Sequence, residues 1–289
     1  MSSASESEAS CALSKEFRWI LEQESLRALQ NVKEILVECS RRFPLHLTLE
    51  NRGIDNLVKP DKFIISNVFE SGQTNIKGMV TLLGDNICDA DVNLRIPAVK
   101  GQHGAGLMRT IIQPDNCWKL QQLQDAGNFL SKALVEVNRR LDMGGFTSGK
   151  EAVSLLNTLI SSLNEARMSI VVPKRKTIEE LRRSINTKSL NPPLPAEVAV
   201  SFYVHATKLV FALYHVSHSS RKLEITDRFQ AEVSVPWFSD VIVMFTAALQ
   251  HCQQLKDKVT VFSQYKDCPG DKLSPHEPAS TAEREVILV

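Results

Sequence analysis

PWFSDVIVMFTAALQHCQQLKDKVTVFSQY, residues 236–265, sets a demand that the rest of the chain has to meet. Small or apolar residues stand at Phe238, Val241, Phe245, Ala248, Cys252, Leu255, Val259 and Phe262, in unbroken steps of three and four. That spacing places them on one side of a helix with a coiled-coil period. Pro236 suits the first helical position, where the missing N–H costs nothing, and Asp240 is expected in the first turn, where the helix dipole favours a carboxylate. The stretch predicts one helix roughly 40 Å long. An apolar stripe without a partner leaves a helix marginal in water, so something must cover this one.

Three other stretches carry matching stripes. The earliest is expected over residues 13–43, capped by Ser14 and stopped by Pro44, with Phe17, Leu21, Ala28, Val32, Ile35 and Cys39 on one face, broadened by Ile20, Leu29 and Leu36. The next opens at Asp115 or Asn116 and presents Leu120, Leu123, Gly127, Leu130, Leu134, Val137 and Leu141 before Gly144 and Gly145 end it. A third, over 149–170, aligns Ala152, Leu156, Leu159, Leu163, Ala166 and Ile170, and Pro173 terminates it; a short helix is expected within 177–186.

Between these stretches the period changes to that of strands. Runs at 62–66, 75–83, 91–96 and 107–112 are rich in β-branched residues and are separated by Gly72, Gly84, Asp85 and the GQHGAG segment at 101–106. After the rigid NPPLP connector at 191–195, Val198, Val200, Phe202 and Val204 alternate. Leu209, Phe211 and Leu213 continue the pattern beyond a tight turn near Thr207, followed by runs at 222–226 and 230–235. Residues 196–216 are apolar nearly throughout, so a helix there remains an open alternative.

Each set of strands lies between two helices, which makes the helices alternate in direction. The expected fold class is α+β: an antiparallel four-helix bundle in which the last helix runs opposite to the first, plus a β domain built from two discontinuous segments. The expected boundaries are a disordered tail at 1–12, an α domain of 13–43, 115–190 and 236–265, a β domain of 44–114 and 191–235, and a disordered tail at 266–289. Trp118 and Trp237 each open a helix leaving the β region, and are the candidate domain junction. Seams covered within one chain predict a monomer when the protein is on its own.

Composition narrows the function classes. Lys plus Arg number 34 against 33 Asp plus Glu, so no global field recruits nucleic acid or an acidic membrane. The acidic, Ser-rich start lacks the basic and apolar regions of a secretory signal, which predicts a cytosolic or nuclear location. The apolar run 241–249 is too short to span a bilayer, and 200–216 contains His205, Lys208 and His215. Six scattered cysteines form no CxxC pair.

Chemical motifs give way to structural readings. GGFTSGK at 144–150 fits the start of a phosphate-binding loop, but Glu151 stands where a Mg²⁺-binding Ser or Thr is required, and Ser148 with Glu151 reads as a helix capping box. Asp89, Asp91 and Asn93 imitate a calcium loop that lacks its Gly and its closing Glu, and His205, His215 and His218 read as scattered strand residues. PKRK at 173–176, with Arg182 and Arg183 nearby, reads as a solvated linker ahead of a nuclear-import signal. Residues 235–249 contain no Lys or Arg, which excludes a DNA-binding basic zipper. The terminal Ile-Leu-Val reads as an ordinary tail. No catalytic residues, cofactor site or metal site can be assembled, so an enzyme is not expected.

Four blocks carry a family resemblance: EFRWILEQE at 16–24, GDNICDADVNLRIP at 84–97, CWKLQQLQDAGNFLSKAL at 117–134, and residues 235–265 with Val235 leading the opening stretch. They closely resemble the Rogdi family, and the resemblance implies an elongated protein with an antiparallel four-helix bundle, first and last helices paired, and a β domain of discontinuous segments. The resemblance implies a non-enzymatic subunit of a RAVE-type complex, partnered by a large rabconnectin-like scaffold subunit and the peripheral sector of the vacuolar proton ATPase, whose assembly it promotes. It also implies peripheral, partner-dependent association with endosomal or synaptic vesicle membranes and a nuclear-envelope pool. The alternative from another class is a self-associating coiled-coil scaffold in the nucleus or cytosol.

Overall fold

In a computed structural model, the structure describes residues 2–43, 59–67, 75–96, 106–174, 176–219 and 222–265. The opening stretch forms helix α6 (Pro236–Phe262), prolonged by a 3-10 turn, Ser263–Tyr265. Pro236 is the first residue of the helix, so Asp240, its fifth, falls in the second turn instead of the first.

The first helical stretch is longer and less regular than its stripe suggests. It comprises α1 (Ser2–Trp19), a π-helical turn (Ile20–Glu24) and α2 (Ser25–Ser40). The expected tail at 1–12 is thus helical from Ser2, and Ser14 is a buried mid-helix residue instead of a cap. Neither Gly nor Pro occurs in the first thirteen residues, so nothing stops the helix extending backwards. The π turn carries an extra residue and rotates the downstream stripe. Leu29, Val32, Leu36 and Cys39 are fully covered, while Ile35 is only half-buried.

The middle helices are α3 (Gln121–Met143) and α4 (Gly149–Val171), followed by the short α5 (Ile178–Arg182), which a Thr177–Glu180 capping box starts. Contacts at their ends give directions. Phe43, just past α2, lies 6.1 Å from Trp237 at the start of α6, whereas Glu24 pairs with Lys258 near its end. α2 and α6 therefore run in opposite directions. Asp125 at the start of α3 meets Lys174 beyond the end of α4, and Arg140 at the end of α3 meets Glu151 at the start of α4. α3 also packs on α2, and α4 on α6.

The strands form two sheets. In the first, β1 (Asp61–Asn67), β2 (Ile76–Leu83), β3 (Asn86–Ile96) and β4 (Gly106–Ile112) follow in sequence order, all antiparallel. Two-residue strands extend it: β5 (Trp118–Lys119) pairs with β3, and β6 (Leu190–Asn191) with β4. β5 comes from the segment expected to be helical, and β6 from the boundary between the expected α domain and the 191–195 connector. α3 consequently starts at Gln121, not at Asp115 or Asn116.

The second sheet holds β7 (Val198–His205), β8 (Lys208–Ser219) and β9 (Lys222–Ser234). β7 is buried on both faces, because α5 sets Leu181 against Ala199 and Val216 on the side away from the main core. Two-sided burial accounts for the unbroken apolar run at 196–216 and decides against the helical alternative. β9 is one strand where two runs were expected, paired throughout with β8 across an irregularity at His215/Val216.

One continuous core contains Leu36, Leu130, Leu163 and Phe245 from the helices together with Ile65, Leu94, Phe202 and Phe211 from both sheets. The fold is α+β, and its helical and stranded parts share that core. Among the described residues no helix is long and apolar enough to cross a membrane. Residues 44–58 at the start of the expected β domain, the glycine-rich segment at 101–105 and the expected tail at 266–289 lie outside the described residues.

Candidate functional site

The seam residues all face inward or half-inward. Phe17, Leu21, Val32, Leu123, Leu130, Leu134, Val137, Leu156, Leu163, Val241, Phe245, Cys252, Leu255 and Val259 are buried, and Ile35 and Phe262 are half-buried against the same core. Burial pushes the Cys39 and Cys252 thiols up to about 12, so both behave as small core residues. On α6 the apolar residues left outside are Val243 and Val261.

Two corners position these helices. At the first, the turn after α3 docks on the π turn. The Leu21 carbonyl, released from the regular ladder, accepts from Phe146 N–H at 2.9 Å and from Ser25 Oγ at 2.7 Å. The approach is close enough that a Cβ on Gly145 would lie 2.7 Å from Glu22 Cα. Arg140, only 5% exposed, stacks its guanidinium 4.1 Å above the Phe146 ring, donates to the Gly145 carbonyl and pairs with Glu151 at 2.5 Å.

Ser148 caps α4 by accepting from Glu151 N–H at 3.3 Å. The return bond of a capping box is redirected, since Glu151 accepts from Thr147 N–H at 3.0 Å and Thr147 Oγ1 at 2.8 Å. These two bonds, then Arg140, hold the Glu151 carboxyl below its ordinary value. GGFTSGK is therefore a helix-to-helix corner in which a protein carboxylate takes the amide that a phosphate would need. A cleft of about 540 Å³ opens beside it, lined by Arg139, Lys150 and Thr158 among others.

The second corner joins helices to strands, and its central residue escaped the sequence reading. Gln122, 7% exposed, donates from Nε2 to the carbonyls of Ser169 at 2.9 Å and Val204 at 2.8 Å, and its Oε1 accepts from Val204 N–H at 2.8 Å. One amide thus ties α3, α4 and β7 together. The signal lay in its placing: Gln122 is the lone polar residue on a row continued by Ala126, Leu130, Ala133 and Val137. The β7–β8 turn completes the corner, with Ala206 N–H donating to Ile170 and Val235 N–H donating to Thr207.

The two tryptophans occupy different stations. Trp118 lies in β5, opposite Ile87, with its buried ring 5.3 Å from Phe202 of the second sheet; it precedes α3 and does not begin it. Trp237 is the second residue of α6, packed edge-on against Phe43 and Phe238. Both stand where a strand hands over to a helix, but they do not touch a common neighbour in these ring contacts.

The remaining motifs disperse. Asp91 lies on β3 and makes a two-pronged pair with Arg109, whose bonds hold its carboxyl down. His205 is exposed at the end of β7, His215 is buried, and the side chain of His218 lies outside the described residues. No group of three potential metal ligands exists among the described residues. Lys174 of PKRK pairs with Asp125 on the α4–α5 linker.

Comparison with known proteins gives a consistent result. The family profile described as "Rogdi leucine zipper containing protein" matches residues 16–228. Protein rogdi of Drosophila melanogaster is 38% identical over 270 residues, covering 93% of this chain and 96% of the relative. The Protein rogdi homolog of Danio rerio is 32% identical over 291 residues (92% and 98%), and that of Homo sapiens 33% over 279 residues (88% and 93%).

Proposed function

Because the chain belongs to the Rogdi family, we propose that it is a non-enzymatic subunit of a RAVE-type complex, acting with a large rabconnectin-like scaffold subunit to promote assembly of the vacuolar proton ATPase. In this reading the α1–α2 stretch, α3, α4 and α6 make an antiparallel four-helix bundle whose first and last members pair, and the two sheets close one end. The work of the protein is then done by its outer surface, which brings the scaffold and the peripheral ATPase sector together. Membrane contact is peripheral and runs through those partners, at endosomal or synaptic vesicle membranes, with a nuclear-envelope pool.

The observation that carries the reading is the extent of the likeness, which runs through nearly the full length of relatives of the same size. Further support comes from the described helices, which place their seams on each other and on the sheets, leaving no apolar stripe of α6 waiting for another chain. The test is affinity recovery of the native full-length protein from gently lysed cells. A large scaffold protein and peripheral ATPase subunits are expected in stoichiometric amounts, and acidification of vesicles should slow when the protein is depleted. Recovery of the chain without either partner, with acidification unchanged, would overturn the proposal.

A further inference from the structure

Two half-buried thiols lie away from the helix seams. β5 pairs antiparallel with β3, Asn86 opposite Lys119 and Ile87 opposite Trp118, and one further step in that register, just before β5 begins, brings Cys88 level with Cys117. Cys88 is also the residue passed over where the β2–β3 ladder shifts, since Thr81 faces Asp89 and Leu82 faces Ile87. A bulged residue has no partner across the ladder, and its side chain is re-aimed. The two thiols are otherwise weakly engaged: Cys88 Sγ donates to the Thr81 carbonyl at 3.6 Å and Cys117 Sγ to that of Pro114 at 3.2 Å.

Opposed residues on antiparallel strands have Cα atoms roughly 4.5–5.5 Å apart. A disulfide spans Cα separations of roughly 4.4–6.8 Å, so this rung has the right reach. The pair is electrostatically coupled as well, because burial first and then Cys117 push the Cys88 thiol above its usual value. Both residues are partly exposed free thiols, unlike Cys39 and Cys252 on the buried seams.

We propose that Cys88 and Cys117 form a redox modification site, a dithiol that closes to an intramolecular disulfide by exchange with a small-molecule disulfide of the glutathione type. One thiolate attacks the glutathione disulfide and releases one glutathione thiolate, leaving a mixed disulfide. The second thiolate then attacks the protein sulfur of that mixed disulfide and releases the other glutathione. The protein loses two electrons and two protons, the glutathione disulfide gains both, and excess reduced glutathione reverses the reaction. Closure ties β3 to the segment leading into α3, beside Trp118 and three residues before Leu120, whose N–H donates to the Asp85 carbonyl. It also closes the chain between the two cysteines into a loop, which removes freedom from the unfolded state.

The test uses the full chain carrying Cys11→Ser and Cys268→Ser, equilibrated with mixtures of oxidised and reduced glutathione and then acid-quenched. Intact mass and a non-reducing peptide map are expected to show loss of two hydrogen masses, a peptide joining Cys88 to Cys117, and a raised melting temperature, all reversed by reduced glutathione. Adding Cys88→Ser or Cys117→Ser should trap a stable glutathione adduct on the surviving cysteine. Separate adducts on both cysteines without the joined peptide, or no reaction in an oxidising mixture where circular dichroism reports an intact fold, would overturn the proposal.

Discussion

At the scale of single residues, two polar side chains carry more of the structure than any motif in the sequence. Gln122 satisfies three main-chain groups on two other elements, and an apolar replacement would strand them in a dry corner. Gln122→Leu is expected to lower unfolding free energy by on the order of 3 kcal/mol, measured by urea denaturation. An unchanged midpoint would show that water replaces the amide. Glu151 makes a prediction in pH. Its folded carboxyl is held below the ordinary value, so its contribution is fully present above the usual carboxylate range, about pH 4, and is lost as pH falls through the lower folded value. The melting-temperature gap between the native protein and Glu151→Gln should be widest near neutrality and close under acid; a gap that stays constant with pH would refute the assigned cause. Gln122 was hard to recognise in advance because a buried and an exposed glutamine are the same letter; its apolar row was the only clue. Glu151 was legible as a helix-start residue, but its turn towards Thr147 was not, since that depends on Arg140 arriving from another helix.

At the scale of elements, what could be read depended on length. α6, α3 and α4, with 27, 23 and 23 residues, repeat their apolar residues over roughly six to seven turns, and a period sustained that long has few alternative explanations. β5 and β6 have two residues each and no period at all, so the segments holding them read as helical or connecting in the sequence. The π turn was equally silent, because its effect is a change of phase, visible in Leu36 taking the central position that strict spacing would give Ile35. The element-scale test is at its docking point. Gly145→Ala would drive a methyl into the main chain of Glu22, backbone that has no room to yield. It should destabilise the fold by about 1–3 kcal/mol in denaturant titrations, whereas Gly106→Ala, with open space around it, should change little. Equal effects at both glycines would contradict the docked arrangement.

At the scale of the whole molecule, the helices and sheets are held by one core, so damage on α6 should be felt everywhere. Phe245, fully buried and 6.4 Å from Phe43, is a suitable probe. Phe245→Ala is expected to cost about 3–5 kcal/mol and to lower the melting of helix and sheet signals together, while Val243→Ala, on the same helix but exposed, should be nearly neutral. Loss of helix signal with the sheet signal intact would indicate two independent domains instead. The shared core bears on the two functional readings raised by the sequence, since a seam filled from within its own chain is not free to pair with the same seam of a second copy. Light scattering of the purified full-length protein across a wide concentration range tests this most directly. The mass of a single chain at every concentration, with undiminished helicity, is the predicted result; a dimer that dissociates on dilution with loss of helicity would show that α6 takes its cover from another molecule.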